Sequence, residues 1–309
     1  MSETVIAAPD AHSAASSGPP SWYTAAMAVP AEDGSVEVEG ARIHYRAWGE
    51  PGAPGAVLVH GTAAHARWWD HIAPLLPAGM RYAAISISGH GGSDWRERYS
   101  LDYWAQEVLA VAAAAGIAGP PFIIGHSLGG SIAMRAREMY GGRLAGIIVI
   151  DTPNYDAPPP PGDPGAGGFG GTRTYSSREA ALARYRLVPE QPVLPYVRKH
   201  VAAWSVHQLA GGAWGWKFDR TIFAKMIRFR SPAVSDGCRT ALVLAENGLV
   251  TPEMAQRNRA ALGPEVLEFQ IPAAGHHVLL DEPLALVTAL RAILAMWTHP
   301  DPDSSSSKE

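Results

Sequence analysis

The sequence contains a single cysteine, little charge and no long apolar run, and each shortage excludes a class of protein. Cys238 has no partner for an internal disulfide, and no group of cysteines and histidines has the spacing of a zinc site. The 25 lysines and arginines are outnumbered by 29 aspartates and glutamates, so nothing predicts nucleic acid or an anionic membrane as a partner. We therefore expect no metal site and a small molecule as the ligand.

No segment predicts export or membrane insertion. The first 20 residues lack the basic start and the continuous apolar core of a signal peptide. The most apolar late stretch, LALVTALRAILAMW, is too short to span a bilayer and is interrupted by Arg291. Its apolar residues recur at helical spacing, which predicts an amphipathic helix packed on a core. Together with the lone cysteine, these features indicate a cytoplasmic protein.

Short apolar runs alternate with helical patterns along the first half of the chain. A hairpin is predicted on either side of Glu39-Gly40. The runs AVLVHG, YAAISISG, PFIIGHS and AGIIVID then follow, and the first three each precede a helical pattern such as HARWWDHIAPLL or SIAMRAREMY. Continuous rather than alternating apolar strands are typical of a mostly parallel sheet covered by helices on both faces. The sequence therefore predicts an α/β fold.

This rhythm is interrupted after AGIIVID and resumes at ALVLAE. The intervening sequence begins with a stretch rich in proline and glycine, 157–171, which we interpret as either a hinge or flap or a solvated insertion. Helical patterns such as SSREAALARYRL and DRTIFAKMIRF follow it, without a convincing buried strand. We predict a disordered lead-in (1–20), a core (21–151 and 238–298), an inserted, mostly helical cap (152–237) and a disordered tail (299–309).

The segment Gly125-His126-Ser127-Leu128-Gly129 carries the clearest chemical signal. It matches the pattern G-x-S-x-G and lies between an apolar strand and a helical pattern, which is the context of a nucleophile elbow. In such a turn the serine hydroxyl projects above the sheet, and the backbone N–H of Leu128 faces a developing oxyanion. Ser127 is therefore the predicted nucleophile.

A second oxyanion donor is expected in the loop that follows AVLVHG. Thr62 comes directly after His60-Gly61, and its backbone N–H is the predicted donor, with Ala63 as the alternative. We interpret His60 as a buried histidine that is hydrogen-bonded to the loop backbone rather than as a proton carrier.

The segment AAGHHVLLDEP supplies the candidate base. His276 follows Gly275 on a loop after the last predicted strand, ahead of Pro283, which is expected to begin the final helix. His277 is the competing candidate. His90 and His126 are interpreted as structural or pocket-lining residues.

The order of the hairpin, HG, SGHGGS, GHSLGG and the terminal GHH…DEP resembles the α/β-hydrolase fold family over residues 35–297, apart from the cap. The resemblance implies Ser127 as the nucleophile and His276 as the general base and acid. It also implies that the N–H groups of Thr62 and Leu128 form the oxyanion hole. It implies no metal or organic cofactor for the reaction. Family members commonly carry the third triad residue in G-[DE]-x-D-x-x-V, but this chain has A-E-N-G-L-V instead.

The triad acid must therefore be sought among other carboxylates. Glu246 lies near the usual position, in a turn that looks a residue or two short. Asp281 and Glu282 fit better as acids in the first turn of the last helix. Asp151 ends the strand that follows the elbow helix, and this position resembles that of the acid in some branches of the family, including many haloalkane dehalogenases. We predict Asp151 as the acid, Glu246 as the alternative and a site without a carboxylate as the remaining option.

The predicted function is a serine hydrolase that cleaves a carboxylic ester or lactone through an acyl-enzyme. Tryptophans predicted near the cleft indicate an uncharged, partly hydrophobic substrate; they are Trp68, Trp69, Trp214 and Trp216. The second hypothesis is a hydrolase that cleaves a carbon–carbon bond of a diketone. Relatives of that type usually resemble HG-x-G-P-G in the loop after the third strand, whereas this chain has HGTAA. A non-catalytic small-molecule receptor is the third. The sequence leaves the oligomeric state open and is compatible with a homodimer.

Overall fold

The computed structural model of the chain describes residues 18–153, 173–227 and 238–298. Most of the predicted lead-in, the proline- and glycine-rich segment 157–171 and the predicted tail 299–309 lie outside these described residues. Within the described ranges, no helix combines the length and the apolar character needed to cross a membrane.

An eight-stranded sheet forms the centre of the molecule and confirms the predicted mostly parallel α/β architecture. Its strand order is β1-β2-β4-β3-β5-β6-β9-β10. The pairs β1–β2 and β2–β4 are antiparallel, and every other pair is parallel. The strands are β1 (Glu32–Val38), β2 (Ala41–Trp48), β3 (Gly55–Val59), β4 (Arg81–Ile85), β5 (Phe122–His126), β6 (Gly146–Ile150), β9 (Arg239–Asn247) and β10 (Leu267–Gly275).

The predicted hairpin joins β1 to β2. Val38 pairs with Ala41, which leaves Glu39 and Gly40 as a two-residue turn. Both turn residues have positive φ (47° and 73°), the conformation that a tight turn between twisted strands requires.

Helices cover both faces of the sheet. Leu58 and Ile124 belong to the apolar cluster that includes Leu290 and Ile293 of the last helix, whereas their neighbours Val57 and Ile123 belong to the other cluster. Because side chains alternate along a strand, the two clusters lie on opposite faces. The helices are α1 (Ser21–Ala28), α2 (Leu101–Ala114), α3 (Leu128–Tyr140), α4 (Arg178–Leu182), α5 (Pro195–Trp204), α6 (Pro252–Leu262), α7 (Val278–Asp281) and α8 (Pro283–Thr298).

Two predicted helical patterns do not form α-helices. HARWWDHIAPLL folds as two short 3₁₀ turns, Ala66–Trp69 and Ala73–Leu75, because Pro74 lacks the N–H that a continuous helix needs. In DRTIFAKMIRF, the residues from Asp219 to Met226 form turns that are held by hydrogen bonds such as Ile222 N–H to Asp219 O.

The described part of the chain between β6 and β9 lies beside the carboxyl ends of the parallel strands. Its described residues form α4, α5 and a two-stranded antiparallel ribbon of β7 (Val206–Gln208) and β8 (Trp214–Trp216). The segment therefore contains strands as well as the predicted helices. Pro189 and Gln191 contact the loop after β10, which places this insertion against the carboxyl edge of the sheet.

Candidate active site

Ser127 lies at the sharp turn between β5 and α3. Its backbone has φ 54° and ψ −118°, and its amide donates to Ile150 O of β6 (2.9 Å). A non-glycine residue in this region is strained and persists only where its surroundings hold it. Positive φ recurs at Ala63 (60°), Asp151 (38°) and Ala273 (58°), which border the same edge of the sheet.

Glycines on either side of Ser127 let the elbow approach its neighbours. A Cβ on Gly125 would lie 2.1 Å from Gly129 O, and one on Gly129 would lie 2.3 Å from Val59 O. A Cβ on Gly130 would lie 1.9 Å from Thr152 Oγ1, which donates to Ser127 O (3.0 Å). The small residues at these positions therefore serve close packing, as the motif predicts.

His276 connects Ser127 to Asp151. Its Nε2 lies 3.1 Å from Ser127 Oγ, and its Nδ1 lies 2.7 Å from Asp151 Oδ2. Asp151 is fully buried and His276 is 4 % exposed. Because a carboxylate only accepts, Nδ1 carries the proton and Nε2 presents its lone pair to the serine hydroxyl. The imidazole can therefore accept the proton of Ser127 while Asp151 stabilises the resulting cation.

Asp151 reaches His276 from the carboxyl end of β6. Its Oδ2 also accepts a hydrogen bond from Leu249 N–H (2.9 Å). The space that its carboxylate occupies is provided by Gly248, because a Cβ there would lie 2.2 Å from Asp151 Oδ1. Glu246 is exposed and instead accepts from Ala273 N–H (2.6 Å). Asp151, rather than the alternative Glu246, is therefore the carboxylate that contacts the imidazole of His276.

Asp281 holds the loop that carries His276. Its Oδ2 accepts from Gly275 N–H (2.6 Å) and from Gln191 Nε2 (2.7 Å), and its Oδ1 accepts from Glu282 N–H (2.8 Å). Gln191 Oε1 in turn accepts from His277 N–H (2.9 Å). Burial raises the pKa of Asp281 to about 6. The sequence places Asp281 only at a helix start, and no pattern identifies Gln191 as its partner.

The segments that carry the two predicted oxyanion donors lie beside Ser127. Val59 pairs with Gly125, so the loop after β3 and the elbow leave the sheet at the same level. A Cβ on Gly61 would lie 3.1 Å from Ser127 Cβ, which puts Thr62 beside the nucleophile. Leu128 is the first residue of α3, where backbone N–H groups have no acceptor within the helix. The geometry brings both segments to Ser127.

His60 is a buried structural residue, as the sequence predicts. Its Nδ1 donates to Gly61 O (2.7 Å), and its Nε2 accepts from Ile87 N–H (3.3 Å). Burial lowers its pKa to about 4, so the ring is neutral near pH 7. The ring thus ties the loop that carries Thr62 to the end of β4.

His126 and His277 flank His276. His126 Nε2 donates to His276 O (2.7 Å), and His277 Nε2 donates to Pro189 O (3.0 Å). Burial and then the neighbouring histidines lower the pKa of His126 well below its usual value and that of His277 to about 3. Each ring therefore keeps a buried Nδ1 lone pair, which finds no partner within the described part of the chain.

These three histidines could hold a transition metal. Their ligand atoms lie within 4.8 Å of one another, and each ring has its N–H committed to an oxygen acceptor. Neutral imidazoles oriented in this way are typical metal ligands. The free nitrogen of His276 is the one that contacts Ser127, so a metal here would compete with that contact.

A cleft of about 390 Å³ opens beside this site. Thr62, His277 and Trp68 line its wall towards the sheet, and Trp216 lines it from the insertion. Trp69 is fully buried in the core instead. Cationic residues also line the cleft, in contrast to the uncharged lining that the tryptophans predict; they are Arg173, Arg184, Arg186, Lys217 and Arg220.

Comparisons with known proteins relate most of the chain to one family. The profile of the Alpha/beta hydrolase family matches residues 56–290. The chain is similar to Lipase LipV of Mycobacterium tuberculosis, with 29 % identity over 109 residues, or 35 % of this chain and 41 % of the lipase. It is also similar to Epoxide hydrolase 4 of Mus musculus, with 30 % identity over 122 residues, or 38 % of this chain and 34 % of that protein. The matched regions span less than half the length of these curated relatives.

The fold is similar to that of solved structures over most of the chain. E-2-(Acetamidomethylene)succinate hydrolase superposes with a TM-score of 0.70 at 17 % identity, covering 86 % of this chain and 100 % of that one. At this identity the likeness concerns the fold alone.

Proposed function

Because the chain belongs to the alpha/beta hydrolase family, we propose that it is a serine hydrolase that cleaves a carboxylic ester or lactone. The observation that carries the proposal is the chain of contacts from Ser127 Oγ through His276 to Asp151, at 3.1 and 2.7 Å. A nucleophile, a base and an orienting acid in hydrogen-bond contact are the arrangement that acyl transfer requires. The cleft beside it favours a partly hydrophobic small molecule as the substrate.

In the proposed reaction Ser127 Oγ attacks the ester carbonyl while its proton passes to His276 Nε2. The N–H groups of Thr62 and Leu128 stabilise the oxyanion, and His276 then protonates the leaving alcohol. Water, deprotonated by the same imidazole, attacks the acyl-enzyme and releases the acid. Asp151 keeps the proton on Nδ1 and stabilises the imidazolium throughout.

The serine at the elbow also separates this proposal from epoxide hydrolysis. Epoxide and haloalkane hydrolysis on this fold use an aspartate as the nucleophile, whereas position 127 is a serine. Carbon–carbon bond hydrolysis stays the second enzymatic alternative, since it could use the same three residues. The cap (152–237) and the cytoplasmic location also stay proposals.

A fluorophosphonate probe tests the nucleophile. We expect native protein to be labelled at Ser127 and the Ser127→Ala variant to remain unlabelled, because the probe needs an activated hydroxyl. Ser131→Ala, one turn further along α3, is the matched control and should label normally. Absence of labelling in folded native protein would favour a non-catalytic receptor.

A substrate panel tests the reaction class. We expect turnover of esters and lactones and none of epoxides, with all turnover lost in Ser127→Ala. Hydrolysis of diketones without hydrolysis of esters would replace the proposed function by the carbon–carbon alternative.

A further inference from the structure

Among the described side chains that line the cleft, all the charged ones other than histidine are cationic. They are Arg173, Arg184, Arg186, Lys217 and Arg220, and no described lining residue is an aspartate or a glutamate. The protein as a whole is formally negative, at −4. A concentration of positive charge in the cleft is therefore a local property, which the overall composition does not explain.

The described structure supplies no carboxylate to balance most of these cations. Within residues 18–153, 173–227 and 238–298, no ion pair involves Arg173, Arg184, Arg186 or Lys217. By contrast, Arg67 at the edge of the same region pairs with Asp70 (3.5 Å). Cations grouped without counter-charges repel one another, and an anion that enters between them relieves this repulsion.

Lys217 and Arg220 are the cations most embedded in the wall, since each is partly buried whereas the other three arginines are exposed. Burial lowers the pKa of Lys217, and the charge of Arg67 lowers it further. Burial also lowers the pKa of Arg220, with a contribution from the charge of Arg173. Burial therefore disfavours the charged forms of both groups, and an anion close to Lys217 would favour its charged form.

The remaining lining connects these cations to the proposed reaction centre. Thr62 and His277 lie at the end of the cleft towards Ser127, and the ring of His277 lies 5.0 Å from that of His276. Apolar side chains, including Trp68, Leu187 and Trp216, make up much of the wall. A ligand that fills the cleft thus meets apolar contacts and cationic groups on one continuous surface.

We propose that the substrate is an ester that carries an anionic group, a carboxylate or a phosphate, on an apolar chain that fills this cleft. The anionic group binds Lys217 and the neighbouring arginines while the ester carbonyl lies at Ser127. Charge-assisted hydrogen bonds are stronger than neutral ones, and arginine matches both carboxylate and phosphate geometry. This inference rests on the proposed serine hydrolase activity and names its substrate class.

Matched esters test the proposal. The rate constant kcat/KM is measured for methyl hexanoate, monomethyl adipate and the methyl ester of a phosphorylated hydroxy acid of similar length. At least one anionic ester should exceed the neutral ester by about tenfold or more, and added salt should reduce this ratio. The two anionic arms identify carboxylate or phosphate as the preferred group. Equal kcat/KM for all three esters would overturn the proposal.

Lys217→Met tests the cleft itself. It removes the charge with little change in length, and should lower the ratio of anionic to neutral kcat/KM by about tenfold. Lys199→Met, an exposed lysine of α5 outside the cleft lining, is the matched control and should leave the ratio unchanged. A ratio that is unchanged in Lys217→Met, or lowered equally in both variants, would contradict a role for this surface.

A binding measurement separates this inference from the proposed reaction. In the Ser127→Ala variant, monomethyl adipate or the phosphorylated methyl ester should bind more tightly than the neutral methyl hexanoate by calorimetry, whether or not the native protein hydrolyses esters. Anion binding without any ester hydrolysis would refute the proposed function and retain the anion site. Hydrolysis of neutral esters without anion binding would do the reverse.

Discussion

The carboxylate of Asp151 fills the space in which a side chain at position 248 would lie. A Cβ built on Gly248 would come within 2.2 Å of Asp151 Oδ1 and 2.5 Å of the carboxyl carbon. The turn after β9, which lacks the aspartate common at this position in similar sequences, is therefore shaped to admit a carboxylate from β6. The position of the Asp151 carboxylate therefore requires a glycine at position 248.

Gly248→Ala is expected to displace Asp151 and to reduce activity. The carboxylate cannot retreat freely, because Leu249 N–H and His276 hold its Oδ2. Overpacking of this kind costs about 1–3 kcal/mol. We expect kcat and Tm both to fall. Gly142→Ala is the control, since a Cβ there meets nothing within 4 Å. Wild-type activity in Gly248→Ala would show that the acid is placed by other contacts.

Asp151→Asn should lower kcat by about 10⁴-fold, the effect that loss of the orienting acid has in serine proteases. The amide cannot stabilise the imidazolium, and it favours the wrong tautomer of His276. Glu246→Gln should have a mild effect, because Glu246 is exposed and contacts Ala273 N–H rather than the imidazole. Steady-state kinetics on both variants check the assignment, and the opposite ranking would identify Glu246 as the acid.

Asp281→Asn should destabilise the loop that carries His276. Three N–H donors converge on the carboxylate, from Gly275, Gln191 and Glu282. An asparagine turns an NH₂ group towards at least one of them, at a cost of about 1–3 kcal/mol. We expect a lower Tm and a lower kcat. Glu282→Gln removes the neighbouring charge and keeps the backbone N–H that donates to Asp281, so it serves as the control. Equal stability of the two variants would show that the network does not hold the loop.

Buried neutral histidines are expected to make the protein sensitive to acid. Burial lowers the pKa of His60 and His71 to about 4, and that of His277 to about 3. Below pH 6.5 the unfolded chain binds protons at these residues and the native state does not, so the free energy of unfolding falls from pH 6.5 towards pH 4. Asp281 acts in the opposite direction between its usual pKa and about 6, and Glu107, whose pKa burial also raises, adds to this effect. The histidines outnumber these two groups, because burial also lowers the pKa of His65, His90 and His126.

Urea unfolding at several pH values measures this dependence. His71→Gln should flatten the slope of the free energy of unfolding against pH between 6.5 and 4. His207 is less buried, and a His207→Gln variant should change the slope less. An unchanged slope in His71→Gln would show that other groups control the acid response.

Zn²⁺ is expected to inhibit the protein by binding the histidines around the site. One ring nitrogen from each of His126, His276 and His277 lies within 4.8 Å of the others, and a metal that binds His276 Nε2 would take it away from Ser127. His277→Asn should raise the Zn²⁺ concentration for half-inhibition by about tenfold or more. His207→Asn, in the ribbon outside this group, is the control. Equal Zn²⁺ sensitivity of the two variants would contradict binding at this group.

The elements near Ser127 were predictable because their signals are local. The continuous apolar runs define β3, β5 and β6, and the glycines around Ser127 leave one conformation for the turn between β5 and α3. Asp151 could be predicted from the end of β6, because parallel strands deliver their carboxyl ends to one edge of the sheet. The contact between His276 and Ser127, 149 residues apart, follows from the same rule.

The cleft was harder to predict because its residues follow no period. Lys217 and Arg184 come from turns and from the end of a short helix, where neither helical nor strand spacing indicates which way a side chain faces. Trp68 and Trp69 show the same difficulty. Both follow the loop that carries Thr62, yet Trp69 packs into the core and Trp68 lines the cleft. The cationic lining arises only when the insertion folds over the sheet.

Ser127 and Asp151 are joined to each other through one strand. Ser127 N–H bonds to Ile150 O, and Thr152 Oγ1 bonds to Ser127 O, so the two residues form a single rigid unit. The loop that carries His276 is held instead by the insertion, because His277 donates hydrogen bonds to Pro189 O and Gln191 Oε1. The position of His276 therefore depends on the insertion, whereas the positions of Ser127 and Asp151 depend on hydrogen bonds at the edge of the sheet.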